Sequence, residues 1–417
     1  MINTVGYIFY LLFTTSWFLH FTSRIQFLGT IRFDLILVIL LLVLTIANGE
    51  NSNYVFKRQK ATLYILILIA YVFISIPFVE WPGSVLINFQ EWLKAVIFFF
   101  FTVSFITTEK KLIIFLYVLL LMQTIRVLEP LYLNITQGYW GSYASMRDWE
   151  YMQRLAGAPH DYVNPNGLAF IILIIIPYLY HLKDLNIANL LLFIMLSPAL
   201  IYALTLTGSR SGLIGLFVVL FGILLQSKRK AAVAVIMLIV IIIVIYKMPD
   251  SMIDRYISIF DSSSSHAATA DGRINGIKED IELSLRRPIF GHGLGTSLEA
   301  NSNYTGRYLL SHNLYAELAI ELGLFGLVIY ILYLKAIYNN IKNIRTKYSN
   351  IIYQRKTFIN SFYKATVILF YMNLIFSMMS YGLSGYEWYL LGGMTIVLHR
   401  ICEEKKLKCQ VIDESIK

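Results

Sequence analysis

Apolar residues run along this chain in long blocks separated by short polar stretches, and two of the blocks, 187–206 and 231–246, hold no charged side chain. Blocks of this length span membranes; they are too long and too uniform for core helices of a soluble domain. The pattern predicts about twelve spans, at 5–22, 33–47, 61–79, 93–107, 112–128, 166–182, 188–206, 212–226, 231–246, 313–334, 364–380 and 386–400. An all-α polytopic membrane protein is therefore expected, a single transmembrane domain over 1–417 with no internal repeat and no separate soluble domain. The first block lacks a basic start and a small-residue cleavage site, so it reads as the first span. One segment has a different period. Ile274, Ile277, Ile281 and Leu285 recur at intervals of 3, 4 and 4, the stripe of an amphipathic helix, with Arg273, Lys278, Arg286 and Arg287 off that stripe. Such a helix rests on the bilayer or on the spans and holds its basic groups at headgroup level; Pro288 ends it.

Composition agrees with the pattern. With 57% apolar and 14% charged residues, a soluble fold would be left with an apolar surface. The 15% aromatic content is what interfacial belts require. The net charge of +10 is distributed by loop. Spans with both chain ends on one side sort the loops into two sets. The first holds Lys57, Arg58, Lys60, Lys110, Lys111, Lys183, the Lys228-Arg229-Lys230 cluster, the basic segment 335–364 and the C-terminal tail; the second is acidic overall. Lys and Arg retained in short loops mark the cytoplasm, so both termini are expected there. The basic balance is then a consequence of topology and does not point to nucleic acid. Three segments are expected outside: 129–165, 207–211 and a long loop at 248–312. Cys402 and Cys409 have no zinc or redox spacing, and no His/Asp/Glu set has metal-ligand spacing, so no metal or cofactor is expected.

The unusual residues gather in those outer segments. Thr207-Gly208-Ser209-Arg210-Ser211-Gly212 sets one permanent cation in a glycine-flanked turn between two spans. Hydroxyls and amides there can cradle an anion that the guanidinium binds bidentately; an Arg that only snorkels to the interface is the other reading. Ser311-His312-Asn313-Leu314-Tyr315 stands directly before a span containing Gly323 and Gly326. His312 is suited to accept and return a proton near neutral pH, or it serves as an interfacial hydrogen-bonding group. Glu317 and Glu321 do not share a helical face with it, so an orienting carboxylate is not evident from that span. His160, in Gly157-Ala158-Pro159-His160-Asp161, and His292 are weaker candidates.

These pieces, in this order and on one side, resemble the O-antigen ligase and O-antigen polymerase (Wzy-type) family. The resemblance rests on 207–212, on Asp271-Gly272-Arg273 followed by Arg287-Pro288-Ile289-Phe290-Gly291-His292-Gly293, on 311–315, and on Asn164-Pro165-Asn166-Gly167 entering a span. It covers roughly 160–334; the first 128 residues match in hydropathy alone. It implies a bacterial membrane glycosyltransferase of the GT-C type acting at the outer face of the cytoplasmic (inner) membrane. The donor would be an undecaprenyl-pyrophosphate-linked glycan, and the acceptor a second glycan or lipid A-core, with a chain-length regulator as a further partner. Arg210 and Arg273 would bind pyrophosphate and His312 would be the base. His160, Arg154 and Arg287 are additional candidates, the first two lying outside the matching motifs.

On that resemblance the chemistry is an inverting transfer needing neither metal nor a carboxylate nucleophile, because the pyrophosphate lipid leaves as a stable anion. A polymerase and a ligase share this donor and differ in acceptor; the polymerase is the expectation taken forward. A flippase for the same lipid-linked sugar would instead show paired repeats, broken helices and ionisable residues at mid-membrane.

Overall fold

The computed structural model describes residues 2–48, 59–141, 154–246, 267–306, 310–354, 356–380 and 382–416. Within these, the side chains at 240, 243–245, 267–275, 409 and 411–416 lie outside the description. The described residues are 81% helix and include no strand. The principal helices are α1 (Ile2–Leu19), α2 (Phe33–Ala47), α3 (Lys60–Ser75), α4 (Pro82–Phe105), α5 (Glu109–Gln137), α6 (Pro165–Leu182) and α7 (Ile187–Leu206). They continue with α8 (Arg210–Gln226), α9 (Lys230–Tyr246), α10 (Ala267–Arg286), α11 (Ser297–Thr305), α12 (Leu314–Lys347), α13 (Phe358–Ser377) and α14 (Glu387–Ile416).

Among the described residues, eight helical segments are long and apolar enough to cross a membrane: α1, Lys60–Phe78, α4, α5, α6, α7, α12 and α13. Three shorter apolar helices, α2, α8 and Lys230–Ile239 at the start of α9, stand where further spans were expected. The last expected span, 386–400, lies in α14, which runs on into a polar tail. Several helices outrun the hydropathy blocks. α4 starts at Pro82, where proline suits a first helical position. Its first half is amphipathic, with Val85 and Trp92 fully buried and Glu91 and Lys94 exposed as an ion pair, so hydrophobic density alone missed it. α5 continues past 128, through Pro130, to a left-handed Gly138. The outer loop expected from 129 therefore begins near 138. The turn at 207–211 contracts likewise, because Arg210 already opens α8.

The chain divides into two compact units. The first comprises Met1–Ala47, Phe105–Ser265 and Asn350–Met372. In it α1 packs on α2 and α5, while α5, α7 and α8 pack on α6. A Cβ on Gly212 of α8 would sit 2.7 Å from the Ala169 Cβ of α6, the small-residue approach by which membrane helices meet closely.

The second unit comprises Asn48–Ser104, His266–Ser349 and Asn373–Lys417. Its centre is α12, against which α3, α10 and α14 pack. α12 is not continuous: Gly323 has φ 64° and ψ −172°. Such a break strands amides and carbonyls that hydrocarbon cannot satisfy. The segment following α10 repairs it. Leu324 N donates to Pro288 O at 2.8 Å, His292 N to Ile320 O at 2.8 Å and Gly293 N to Glu321 O at 2.9 Å. The Tyr71 hydroxyl of α3 lies 2.7 Å from Leu322 O and 2.9 Å from Ile289 O. The two backbones approach so closely that a Cβ on Gly323 would collide with Ile289 O, and one on Gly291 with the Glu321 carbonyl. The glycines of the 290–293 motif and of the span thus belong to one joint.

Gly323→Ala combines a backbone region open essentially to glycine alone with this collision. It should lower stability by roughly 1–3 kcal/mol in a thermal melt of the detergent-purified chain. Gly83→Ala, where a Cβ meets nothing within 4 Å, is the control and should leave the melt near wild type.

Candidate active site

In the first unit the chain from Arg154 to Val163 folds over the Thr207–Ser209 turn. Leu155 N donates to Leu206 O at 2.8 Å and Gly157 N to Val163 O at 2.7 Å. Arg154 is buried, with Nε donating to Thr207 O at 2.8 Å and Nη2 to Asn166 Oδ1 at 3.0 Å. Asn166 Oδ1 also accepts from Ser209 Oγ at 2.8 Å. Ser209 in turn caps α8, its Oγ accepting from Gly212 N at 3.0 Å. Arg154, Asn166 and Ser209 therefore fix the start of α8. Arg210 is the first residue of that helix and is 6% exposed. The Ser211 hydroxyl beside it is buried with no hydrogen-bond partner among the described residues. A helix N-terminus contributes partial positive charge of its own, so Arg210 stands where an anion is electrostatically favoured.

His160 sits exposed at the tip of the same loop, with φ 70°. The neighbouring Asp161 turns inward. Arg126 of α5 grips it bidentately, Nε to Oδ2 at 2.8 Å and Nη2 to Oδ1 at 3.0 Å, and His20 Nε2 lies 3.1 Å from Oδ1. Burial pushes the Asp161 carboxyl up, but the His20 and Arg126 hydrogen bonds and the Arg126 charge outweigh it and hold the group at about 2. The sequence reading passed over this cluster. Its signal was Arg126 itself, a lone cation inside the apolar block 112–128.

In the second unit His312 is exposed between two structural neighbours. Asn313 caps α12, its Oδ1 accepting from Tyr315 N at 2.9 Å and Ala316 N at 3.2 Å. Ser311 Oγ donates to Asp280 Oδ2 of α10 at 2.7 Å. Burial raises the Asp280 carboxyl above its ordinary value against the lowering effect of its Ser311 and Asn301 hydrogen bonds. Asp280 was missed because the sequence reading followed the apolar stripe. The structure places Ile277, Ile281 and Leu285 on the exposed side of α10, 41%, 53% and 64% accessible, while Asp280 and Leu283 face inward. Arg273 lies in α10 with its side chain outside the described residues.

Arg287 pairs with Glu80, Nε to Oε2 at 3.2 Å. Glu80 also lies 2.8 Å from His292 Nδ1 and accepts from the Tyr304 hydroxyl at 2.8 Å. Burial would raise Glu80, but the Tyr304 and His292 bonds and the Arg287 charge hold it below the usual carboxylate range. His292 is fully buried, with Nε2 3.1 Å from Leu283 O, and holds the joint under α12. Glu317 and Glu321 are buried anchors: Glu317 accepts from Gly382 N and Leu383 N, and Glu321 from Gly295 N and Ser297 N.

Residues 190–331 match the family described as O-antigen ligase, a stretch that contains 207–212, 271–273, 287–293 and 311–315. The match supports the O-antigen ligase/polymerase family read from the motifs. No curated protein matches the chain. With its apolar helices, the chain is an integral membrane protein, and residues 190–331 of it are similar to the O-antigen ligase family.

The Arg126–Asp161 pair makes a pH prediction. The Asp161 carboxyl sits at about 2 when folded against an ordinary 3.8. Its stabilisation is therefore complete above the ordinary value and is lost as pH falls from there through the folded one. The purified chain should lose thermal stability across that window. Asp161→Asn should lack this acid-dependent step and be less stable at neutral pH by roughly 3–5 kcal/mol, the cost of leaving a buried charge unpaired.

Proposed function

We propose that this protein is a bacterial surface-polysaccharide polymerase. It joins undecaprenyl-pyrophosphate-linked oligosaccharide repeat units at the outer face of the cytoplasmic membrane. The observation that carries the proposal is the O-antigen ligase match over 190–331, which contains both the Arg210 turn and the His312 motif. Arg210 and Arg273 hold the pyrophosphate as its charge develops. His312 takes the proton of the acceptor hydroxyl as that oxygen attacks the anomeric carbon from the face opposite the leaving pyrophosphate. The new glycosidic bond forms with inversion and the lipid pyrophosphate departs as an anion, so neither metal nor acid assistance is required. The exposure of His312 supports this role, since an acceptor sugar must reach it. The buried Arg210 at a helix start supports the other. Arg154 and Arg287 act at one remove, holding the turn and the α12 joint. Basic loops on one side and the motif segments on the other support cytoplasmic termini.

The alternative is a ligase that transfers the lipid-linked glycan to lipid A-core, and the match over 190–331 is common to both readings. A deletion strain separates the two. Core bearing a single repeat is the polymerase result; bare core with accumulating lipid-linked polymer is the ligase result. An unchanged glycan profile would remove both.

Site variants test the chemistry. His312→Ala, shown to insert and fold, should lower turnover by about 10²–10⁴ while leaving donor binding near wild type. Arg210→Lys should weaken donor binding, because a point charge replaces a planar fork. Near-normal transfer by His312→Ala across neutral pH would move the base elsewhere.

A further inference from the structure

The first unit holds a cavity of about 880 Å³ that the proposed chemistry does not use. It lies among α6, α7, α8, α9 and the start of α13, and it has two zones. One is cationic: Lys183 after α6, Lys228 and Arg229 between α8 and α9, and Lys356 and Lys364 around the start of α13, with Asp184 the one carboxylate lining it among the described residues. The other is apolar, lined by Ile176, Phe193, Ile201, Leu216, Leu220 and Met237.

Three further observations mark the polar end as built to receive something. Lys183 Nζ lies 3.2 Å from the Tyr180 ring centroid and 5.1 Å from that of Phe193, so its stem is held by aromatic packing. Burial lowers the Lys183 ammonium, and the Asp184 charge beside it opposes that shift without cancelling it. His181 Nε2 and Gln226 Oε1, both on the cavity wall, are buried with no hydrogen-bond partner among the described residues. Five cations gathered by three separate connections outnumber the Asp184 carboxylate beside them, so the cavity wall carries net positive charge.

From this two-zone arrangement we propose that the cavity is a binding site for an anionic bilayer phospholipid, its phosphate headgroup among Lys183, Lys228, Arg229, Lys356 and Lys364 and an acyl chain along the apolar wall. Basic pockets between membrane helices recognise acidic headgroups through the same complementarity. The apolar zone distinguishes a lipid from free phosphate. The site uses none of Arg210, Arg273 or His312, so it stands or falls independently of the proposed transfer reaction.

The test uses the full chain, purified in detergent and stripped of lipid, followed by native mass spectrometry and thermal melts with four probes. Phosphatidylglycerol should form a retained adduct and raise the melting temperature. Phosphatidylcholine and inorganic phosphate at equal concentration should do neither. Lys228→Gln with Arg229→Gln, both exposed side chains off the helix packing, should weaken phosphatidylglycerol binding about thirtyfold, on the order of 1 kcal/mol for each of the two charges. Leu216→Trp, which narrows the apolar zone without changing charge, should weaken it separately. Equal retention of phosphatidylcholine, an equal shift from inorganic phosphate, or unchanged binding in the variants would each overturn the proposal. So would undecaprenyl phosphate retained in preference to phosphatidylglycerol, which would identify a different occupant.

Discussion

A helix that breaks inside hydrocarbon leaves amides and carbonyls that no water can take, and the only remedy is protein backbone brought to the break. In this chain the break is at Gly323 and the remedy is the segment 288–295, which answers Ile320, Glu321 and Leu324 in turn. Much of the second unit follows from that repair. α10 must end at Arg286 so that Pro288 can reach Leu324. Glu80 and Trp81 must come under His292, and Tyr71 must face the gap in α12. Glu321, two residues before the break, turns its carboxylate to the Gly295 and Ser297 amides at the entrance to α11. Backbone satisfaction, more than side-chain packing, sets where these elements lie.

Buried charge is handled in a consistent way in both units. Arg126 is matched bidentately by Asp161, and Glu317 and Glu321 are met by backbone amides. Arg154 donates to Thr207 O and Asn166 Oδ1, which orients its guanidinium against the turn beside the helix start that carries Arg210.

Hydropathy made the helical membrane class legible, because a block such as 187–206 reads the same alone or in the fold. It failed where a helix is only half apolar. The first half of α4 was lost because Glu91 and Lys94 dilute the average although Trp92 is fully buried. The candidate residues were legible as local motifs, since Ser209 and Asn313 cap the helices that follow them within a few positions. Their partners were not, because the contacts are distant in sequence: Arg154 to Thr207, Asp280 to Ser311, Arg126 to Asp161. The break at Gly323 was visible only as a glycine in a span. Its meaning depended on the glycines at 291 and 293, which had been read as a separate motif.

The hydrogen bond from Ser311 to Asp280 has a mechanical side. α10 shows its apolar stripe outward and its carboxylate inward, so one helix reports on two environments. Ser311 is thereby tied to α10 while Asn313 caps α12, so the backbone on either side of the exposed His312 is fixed and the imidazole stands out from a braced segment.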